Sequence, residues 1–290
     1  LADTREGLFD RLPGKSYTAA AVSIAAKAGE WIRSKAGQHE TLEIKANASD
    51  LVTEVDKGSE AMIRNLVKTY FPEHGVLGEE GLYAEGATIG EALEAAWAGG
   101  REYVWIVDPL DGTTNFVHGF PFYVVSLALA WRGEVVAGVV YDPNRDEMFV
   151  AEKGKGAYFR GRRMRVSGEG ALADSLLATG FPASRGEMLR DNVAGIGALA
   201  PLVRNIRAAG SAALHMAYVA CGRLTGFWEL NLNPWDLAAG ALLVQEAGGK
   251  VTDTLGRPYS LETRHVIATN GSVHEELRKV LDEAGATGMR

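Results

Sequence analysis

The stretch WIVDPLDGTTNF, residues 105–116, limits what this chain can become. Trp105, Ile106 and Val107 are strand formers, and they run straight into Asp108, Pro109, Leu110, Asp111 and Gly112. Pro109 donates no hydrogen bond and Gly112 frees the backbone, so the spacing predicts a strand that ends in a tight turn. Strand ends are where α/β folds gather functional groups. Asp108 and Asp111 then fall on one side of the turn. Carboxylates held together repel unless one is protonated or a cation lies between them. Hard divalent cations such as Mg2+ favour such oxygen ligands. Thr113 and Thr114 add hydroxyls, and the N–H groups of a glycine turn suit an oxyanion. A solvated turn with capping aspartates explains the D-x-x-D spacing on its own equally well.

Other acids weigh against that plainer explanation. Glu79 and Glu80 follow the apolar run Val76-Leu77-Gly78, and Asp236 follows Trp235 just inside an expected helix start. Singly, each acid reads as a turn residue or as a charge complementing a helix dipole. Together they put acids at three separate strand or helix ends, the arrangement of a two-metal phosphoryl-transfer site. Competing chemistries lack their motifs. The chain has no G-x-x-x-x-G-K-[ST] phosphate loop, no G-x-S-x-G elbow and no zinc spacing among its six histidines. His118 reads as a turn residue. A nucleophilic aspartate of the D-x-D-x-[TV] kind is disfavoured because the acids here are three apart.

Periodicity predicts helices over 17–36, 50–71, 88–98, 188–200, 211–222, 234–249 and from 273 onward. Strands are expected at 41–46, 75–80, 103–107, 175–180, 204–210, 224–230, 250–253 and 265–270. Between 122 and 166, β-branched runs broken at Arg132-Gly133, Asp142-Pro143-Asn144 and Lys153-Gly154 predict an antiparallel meander. Helices and strands in both halves imply helix-on-sheet layers, an α+β or α/β fold. A soft boundary is expected near 165. Residues 1–165 would form an N-terminal region with most of the acids, and residues 166–290 a C-terminal region, joined in one catalytic unit. A formal net charge of −7 argues against a nucleic-acid partner, and RGRRMR at 160–165 reads as a solvated hairpin. The single Cys221 excludes an internal disulfide framework and reads as a small buried hydrophobe. No apolar run reaches the ~18 residues of a membrane span, and the first residues lack a signal-peptide layout, so a cytoplasmic protein is expected.

The motifs resemble the inositol monophosphatase family of Mg2+-dependent, lithium-sensitive phosphatases, most closely its bacterial members. WIVDPLDGTTNFVHGFP is similar to the family's first signature and NPWDLAAGALLVQEAGG to its second. GEE at 78–80 resembles the family's acidic loop, and KANASDLVTEVD at 45–56 its mobile N-terminal loop. The resemblance spans about 17–283. It implies a layered αβαβα sandwich of the inositol monophosphatase / fructose-1,6-bisphosphatase type, usually a homodimer. It implies two to three Mg2+ ions and a small-molecule phosphate monoester as substrate.

Residue by residue, the resemblance implies that Glu79, Asp108 and the Leu110 carbonyl hold one ion and that Asp108, Asp111 and Asp236 hold a second. A third, weaker ion would sit near Glu79 under the loop bearing Lys45, Asp50 and Asp56. Thr113, with Glu79 and Asp56, would orient the attacking water. Gly112 and Thr113 would hold the phosphate, and Glu229, with Asp111, Gly210, Ser211 and Ala212, would face the alcohol. After Glu229 the chain reads LNLNP, where several relatives carry a glycine two residues on. The resemblance favours inositol monophosphate and leaves histidinol phosphate as the nearest alternative. Some bacterial relatives are associated with the RNA-synthesis machinery, which keeps a binding role open.

Overall fold

The computed structural model describes residues 16–37, 42–44, 51–81, 88–182 and 186–289. Helix α1 spans Tyr17–Lys35 and starts at Ser16, whose hydroxyl accepts the Ala19 N–H at 3.0 Å. Its buried stripe of Ala20, Ile24, Ala25, Ala28 and Ile32 has the helical spacing of the sequence. Strands β1 (Leu42–Ile44) and β2 (Leu51–Thr53) pair antiparallel, with Glu43 opposite Val52. Helix α2 then runs Glu54–Tyr70. The helix thus begins one short strand later than the expected residue 50. Leu51–Thr53 are claimed by pairing with β1, and the Thr53 hydroxyl begins the helix by accepting N–H groups of Val55 and Asp56.

Strand β3 (Gly75–Gly78) leads through the acids to helix α3 (Ile89–Trp97), then β4 (Tyr103–Asp111) and the short helix α4 (Thr113–Val117). The expected meander follows as β5 (Val124–Trp131), β6 (Glu134–Asp142), β7 (Glu147–Glu152), β8 (Gly156–Phe159) and β9 (Arg162–Arg163). Strands β3 to β9 form a seven-stranded sheet in chain order, parallel only between β3 and β4. The basic run is its solvated last hairpin, with Arg162 and Arg163 exposed.

The rest of the chain carries β10 (Leu176–Thr179), α5 (Glu187–Leu199), β11 (Asn205–Ala208), α6 (Ala212–Ala220) and β12 (Gly226–Glu229). It ends with α7 (Pro234–Glu246), β13 (Lys250–Asp253), β14 (Val266–Thr269) and α8 (His274–Glu283). These strands make a five-stranded mixed sheet in the order β11-β10-β12-β14-β13.

Side-chain alternation along the strands sets the layers. Trp105, Val107, Leu127 and Leu129 pack against α1 and α2. Their neighbours Val104, Ile106, Val124 and Ala128 face the opposite way, onto α6 and α7. From the second sheet, Ala178, Phe227 and Ala268 cover the other side of those two helices, while Leu177, Trp228 and Ile267 pack on α5 and α8. The architecture is an α/β sandwich in the order αβαβα. A helix held between two sheets has no wet face, and α7 is accordingly apolar all round, with every residue from Leu237 to Val244 buried. Among the described residues no helix is long and apolar enough to cross a membrane.

Candidate active site

Local chemistry builds the site at the end of β4. Pro109 cannot join the ladder, and the register against β5 shifts by one residue, from Asp108 opposite Ser126 to Asp111 opposite Val124. Gly112 then takes a φ of 104°, a left-handed conformation that favours glycine, and starts α4. The bulge and turn let Asp108 and Asp111 both stay buried. Asp108 accepts the Leu110 N–H at 3.0 Å. Asp111 is held from the middle layer, accepting the Ser211 hydroxyl at 2.7 Å and the Ala213 N–H at 2.7 Å at the start of α6. Asn115 ties this turn to the same place, donating to the carbonyls of Phe122 at 2.6 Å and Ala209 at 2.7 Å.

Two helix starts complete the acid set. Asp236 lies at the third position of α7 in a capping box with Asn233, whose N–H it accepts at 2.7 Å. Asp56 occupies the same position in α2, accepting the Thr53 N–H at 2.8 Å with one oxygen. Its other oxygen accepts the Thr113 hydroxyl at 2.7 Å, the pair expected to orient water. Glu79 directly follows β3, and its charge acts on both Asp108 and Asp236. Glu229 ends β12, buried against Gly180, where a Cβ would meet its carboxylate oxygen.

Electrostatics show how tightly these groups share one space. Burial first, then the charges of Glu79, Asp111 and Asp236, push the Asp108 carboxyl well above its usual range. Asp236 is raised by burial and by the charges of Glu79 and Asp111. Glu229 is raised by burial and by Asp111 and Asp236. Asp111 rises less, to about 6, because the donors from Ser211 and Ala213 offset its burial. No lysine or arginine among the described residues figures in any of these four shifts. Carboxylates gathered here with no cationic side chain among the causes of their shifts fit a divalent cation. Among the described residues, no three His, Cys, Asp or Glu side chains form a ready-made metal cage. The acids are instead turned to protein N–H and O–H donors and to one another, as mutually repelling anions require. The donor set is all oxygen, which suits Mg2+.

Glu79, Asp56, Asp108, Leu110, Asp111, Gly112, Thr113, Gly210, Ser211, Ala212, Glu229 and Asp236 all lie on the strand and helix ends just described. Lys45 and Asp50 fall outside the described residues. His118 ends α4 at the surface, as expected of a turn residue. Cys221 is half-buried rather than buried, because it closes α6, and burial raises its thiol pKa. Sequence reasoning missed Asn115, Gly180 and Glu60. Asn115 stood inside the quoted signature, and a polar side chain in that turn was the available signal. A cavity of about 460 Å3 lined by Arg64, Lys68, His74 and Arg101 abuts Gly78 and Gly81 from behind, away from the acids.

Comparison with known proteins shows what the whole chain resembles. The model of the inositol monophosphatase family matches residues 15–286. The chain is 43% identical to "Nus factor SuhB" of Pseudomonas aeruginosa over 253 residues, 86% of this chain and 90% of the relative. It is 43% identical to "Inositol monophosphatase 2" of Solanum lycopersicum over 272 residues, 93% of this chain and 99% of the relative. The crystal structure of extragenic suppressor protein suhB from Bartonella henselae superposes with a TM-score of 0.81 at 40% identity, covering 91% of this chain and 97% of that one. A match of this extent, in sequence and in fold, places the chain in the inositol monophosphatase family.

Proposed function

We propose that this protein is a Mg2+-dependent phosphomonoesterase that hydrolyses myo-inositol monophosphate and related polyol phosphates. The observation that carries this reading is the convergence of buried Asp108 and Asp111 with Asp236 and Glu79, in which burial and the charges of neighbouring acids push Asp108 and Asp236 well above the usual carboxylate range. Glu79, Asp108 and the Leu110 carbonyl would hold one ion, and Asp108, Asp111 and Asp236 a second; a third would lie near Glu79. The chemistry supplied by Mg2+ is acidification of the attacking water and neutralisation of charge on the leaving oxygen.

The chain's own groups do the positioning. Thr113 donates its proton to Asp56, so its oxygen lone pairs are left to accept from the attacking water. Asp56 is itself fixed by the Thr53 N–H and takes up, through the Thr113 hydroxyl, the proton that the water loses. The N–H groups of Gly112 and Thr113 face the phosphate at the turn. Ser211 and the Ala213 N–H keep Asp111 from swinging out of the site. Glu229 accepts from hydroxyls of the alcohol, which selects a polyol. The water oxygen forms the new bond to phosphorus as the ester oxygen leaves and takes a proton. No covalent enzyme intermediate is needed.

A substrate panel tests the reading: phosphate release from inositol 1-phosphate, histidinol phosphate, fructose bisphosphate and NADP, with and without Mg2+. Fastest release from inositol 1-phosphate, and only with Mg2+, is expected. Preference for histidinol phosphate would move the substrate assignment and leave the chemistry. Release from no ester would refute it. The homodimer implied by the family is checked by sedimentation.

The printed name of the Pseudomonas aeruginosa relative, "Nus factor", supports a second role, binding within the RNA-synthesis machinery. Retention of RNA polymerase subunits by Asp108→Asn protein would support that role, and no retained partner would leave the enzyme alone.

A further inference from the structure

Glu60 carries a clear structural assignment that the catalytic scheme does not use. It sits in α2 and is 3% exposed, yet its hydrogen bonds go to none of the four acids. Its carboxylate is turned to the backbone that follows β3. Oε2 accepts the Glu80 N–H at 2.7 Å, and Oε1 accepts the Gly81 N–H at 3.0 Å. Arg64, one helical turn on, donates from Nε to Oε1 at 2.7 Å and from Nη1 to the Val76 carbonyl at 3.3 Å. On the other side, a Cβ at Gly78 would fall 2.5 Å from the Glu60 carboxyl carbon, so only glycine lets the strand come this close.

The backbone is thus held at Val76, three residues before Glu79, and at Glu80 and Gly81, directly after it. The Glu60 and Arg64 bonds are charge-assisted, a strong class of hydrogen bond. Glu79 is also the acid that comes from outside β4 and α7, directly after a four-residue strand at the sheet edge. Asp108, Asp111 and Asp236 each accept a hydrogen bond from their own element or from α6. Resting on the cation reading above, we propose that Glu60, braced by Arg64, is the positioning residue that fixes the Gly78–Gly81 segment and so presents the Glu79 carboxylate to the cation site. Glu60 neither touches the substrate nor binds the ion.

The test is calorimetric titration of the full chain with Mg2+ in the absence of substrate, on wild type, Glu60→Gln and Arg64→Met. Glu60→Gln keeps the shape but offers one carbonyl oxygen, so one of the two turn N–H groups loses its acceptor. A rise of about tenfold in Kd for Mg2+ is expected, the usual scale for a group that orients a ligand. The half-saturating Mg2+ concentration in phosphate release should rise in step, and kcat at saturating Mg2+ should fall by a smaller factor. A purely structural staple would lower Tm and leave Kd where it was; an unchanged Kd in a folded Glu60→Gln protein overturns the proposal. Should Glu60→Gln not fold, Arg64→Met decides by the same titration, a raised Kd supporting and an unchanged Kd overturning it. Wild type that binds no Mg2+ would instead overturn the cation reading itself, and this inference with it.

Discussion

Two helix starts in this molecule use the same device and come to opposite ends. At α3, Thr88 and Glu91 form a capping box in which Glu91 accepts the Thr88 N–H at 2.8 Å. At α7, Asn233 and Asp236 form one in which Asp236 accepts the Asn233 N–H at 2.7 Å. The bonds to Thr88 lower the Glu91 pKa, whereas Asp236 is raised well above its usual range. Glu91 also accepts the Thr88 hydroxyl at 2.7 Å, the largest influence lowering its pKa, while the capping donor to Asp236 is the Asn233 backbone. The larger difference is the setting: Glu91 stands in water, while Asp236 is half-buried beside Asp108, Asp111 and Glu79. A capping box stabilises a helix at the surface. Placed where other acids converge, the same box leaves a carboxylate short of a counter-charge, and the helix start becomes a wall of a cation site.

Removing the acid most deeply committed to that convergence should have the largest effect. Asp108→Asn is expected to lower kcat at saturating Mg2+ by at least about a hundredfold, the scale on which a lost electrostatic group acts. Steady-state phosphate release measures it, and near-normal turnover would remove Asp108 from the site.

The paired substitutions Asp236→Asn and Glu91→Gln break the comparison itself. Asparagine keeps the carbonyl that caps α7 and relieves like-charge repulsion, so Asp236→Asn should raise the Tm of the metal-free protein while abolishing most activity. Glu91→Gln should leave activity intact and slightly lower Tm. Equal behaviour of the two variants in both assays would mean that neighbouring acids do not matter.

Burial without neighbouring acids can be isolated at His215. It lies on α6 between Phe122 at 5.1 Å and Phe227 at 5.3 Å, with both ring nitrogens unbonded. Burial lowers its pKa to about 3. The unfolded chain takes up that proton near pH 6.5, so stability is full above pH 6.5 and is lost progressively as pH falls toward 3. His215→Leu should make the fall in Tm between pH 6.5 and 4 shallower; an unchanged slope would contradict this.

The smallest effect belongs to the surface box: Thr88→Ala should cost about 1 kcal/mol in urea unfolding and change no kinetic constant.

Much of this was legible in the chain. The D-P-L-D-G turn pointed to a strand end with two acids because proline and glycine leave the backbone few alternatives. Helix-on-sheet layers followed once helix and strand periods were assigned, and the αβαβα order came from the family resemblance. Glu60 was not legible, since a Glu and an Arg four residues apart on a helix read as an ordinary surface pair. Only the approach of β3 through Gly78 turns that pair inward. Gly180 was hidden for a similar reason: its contact with Glu229 joins adjacent strands β10 and β12, which sequence order does not place side by side. Strand β2 was absorbed into a helix because its three residues show too short a period to stand out. Thr53 serves as both strand end and helix cap.

The most direct test is the melting temperature of wild type and Asp108→Asn as Mg2+ is raised. Binding to the folded state alone lifts Tm with ligand concentration. Wild-type Tm should climb as Mg2+ rises, and the Asp108→Asn curve should be nearly flat. Identical climbs in the two proteins, or none in wild type, would contradict a cation site built on these carboxylates.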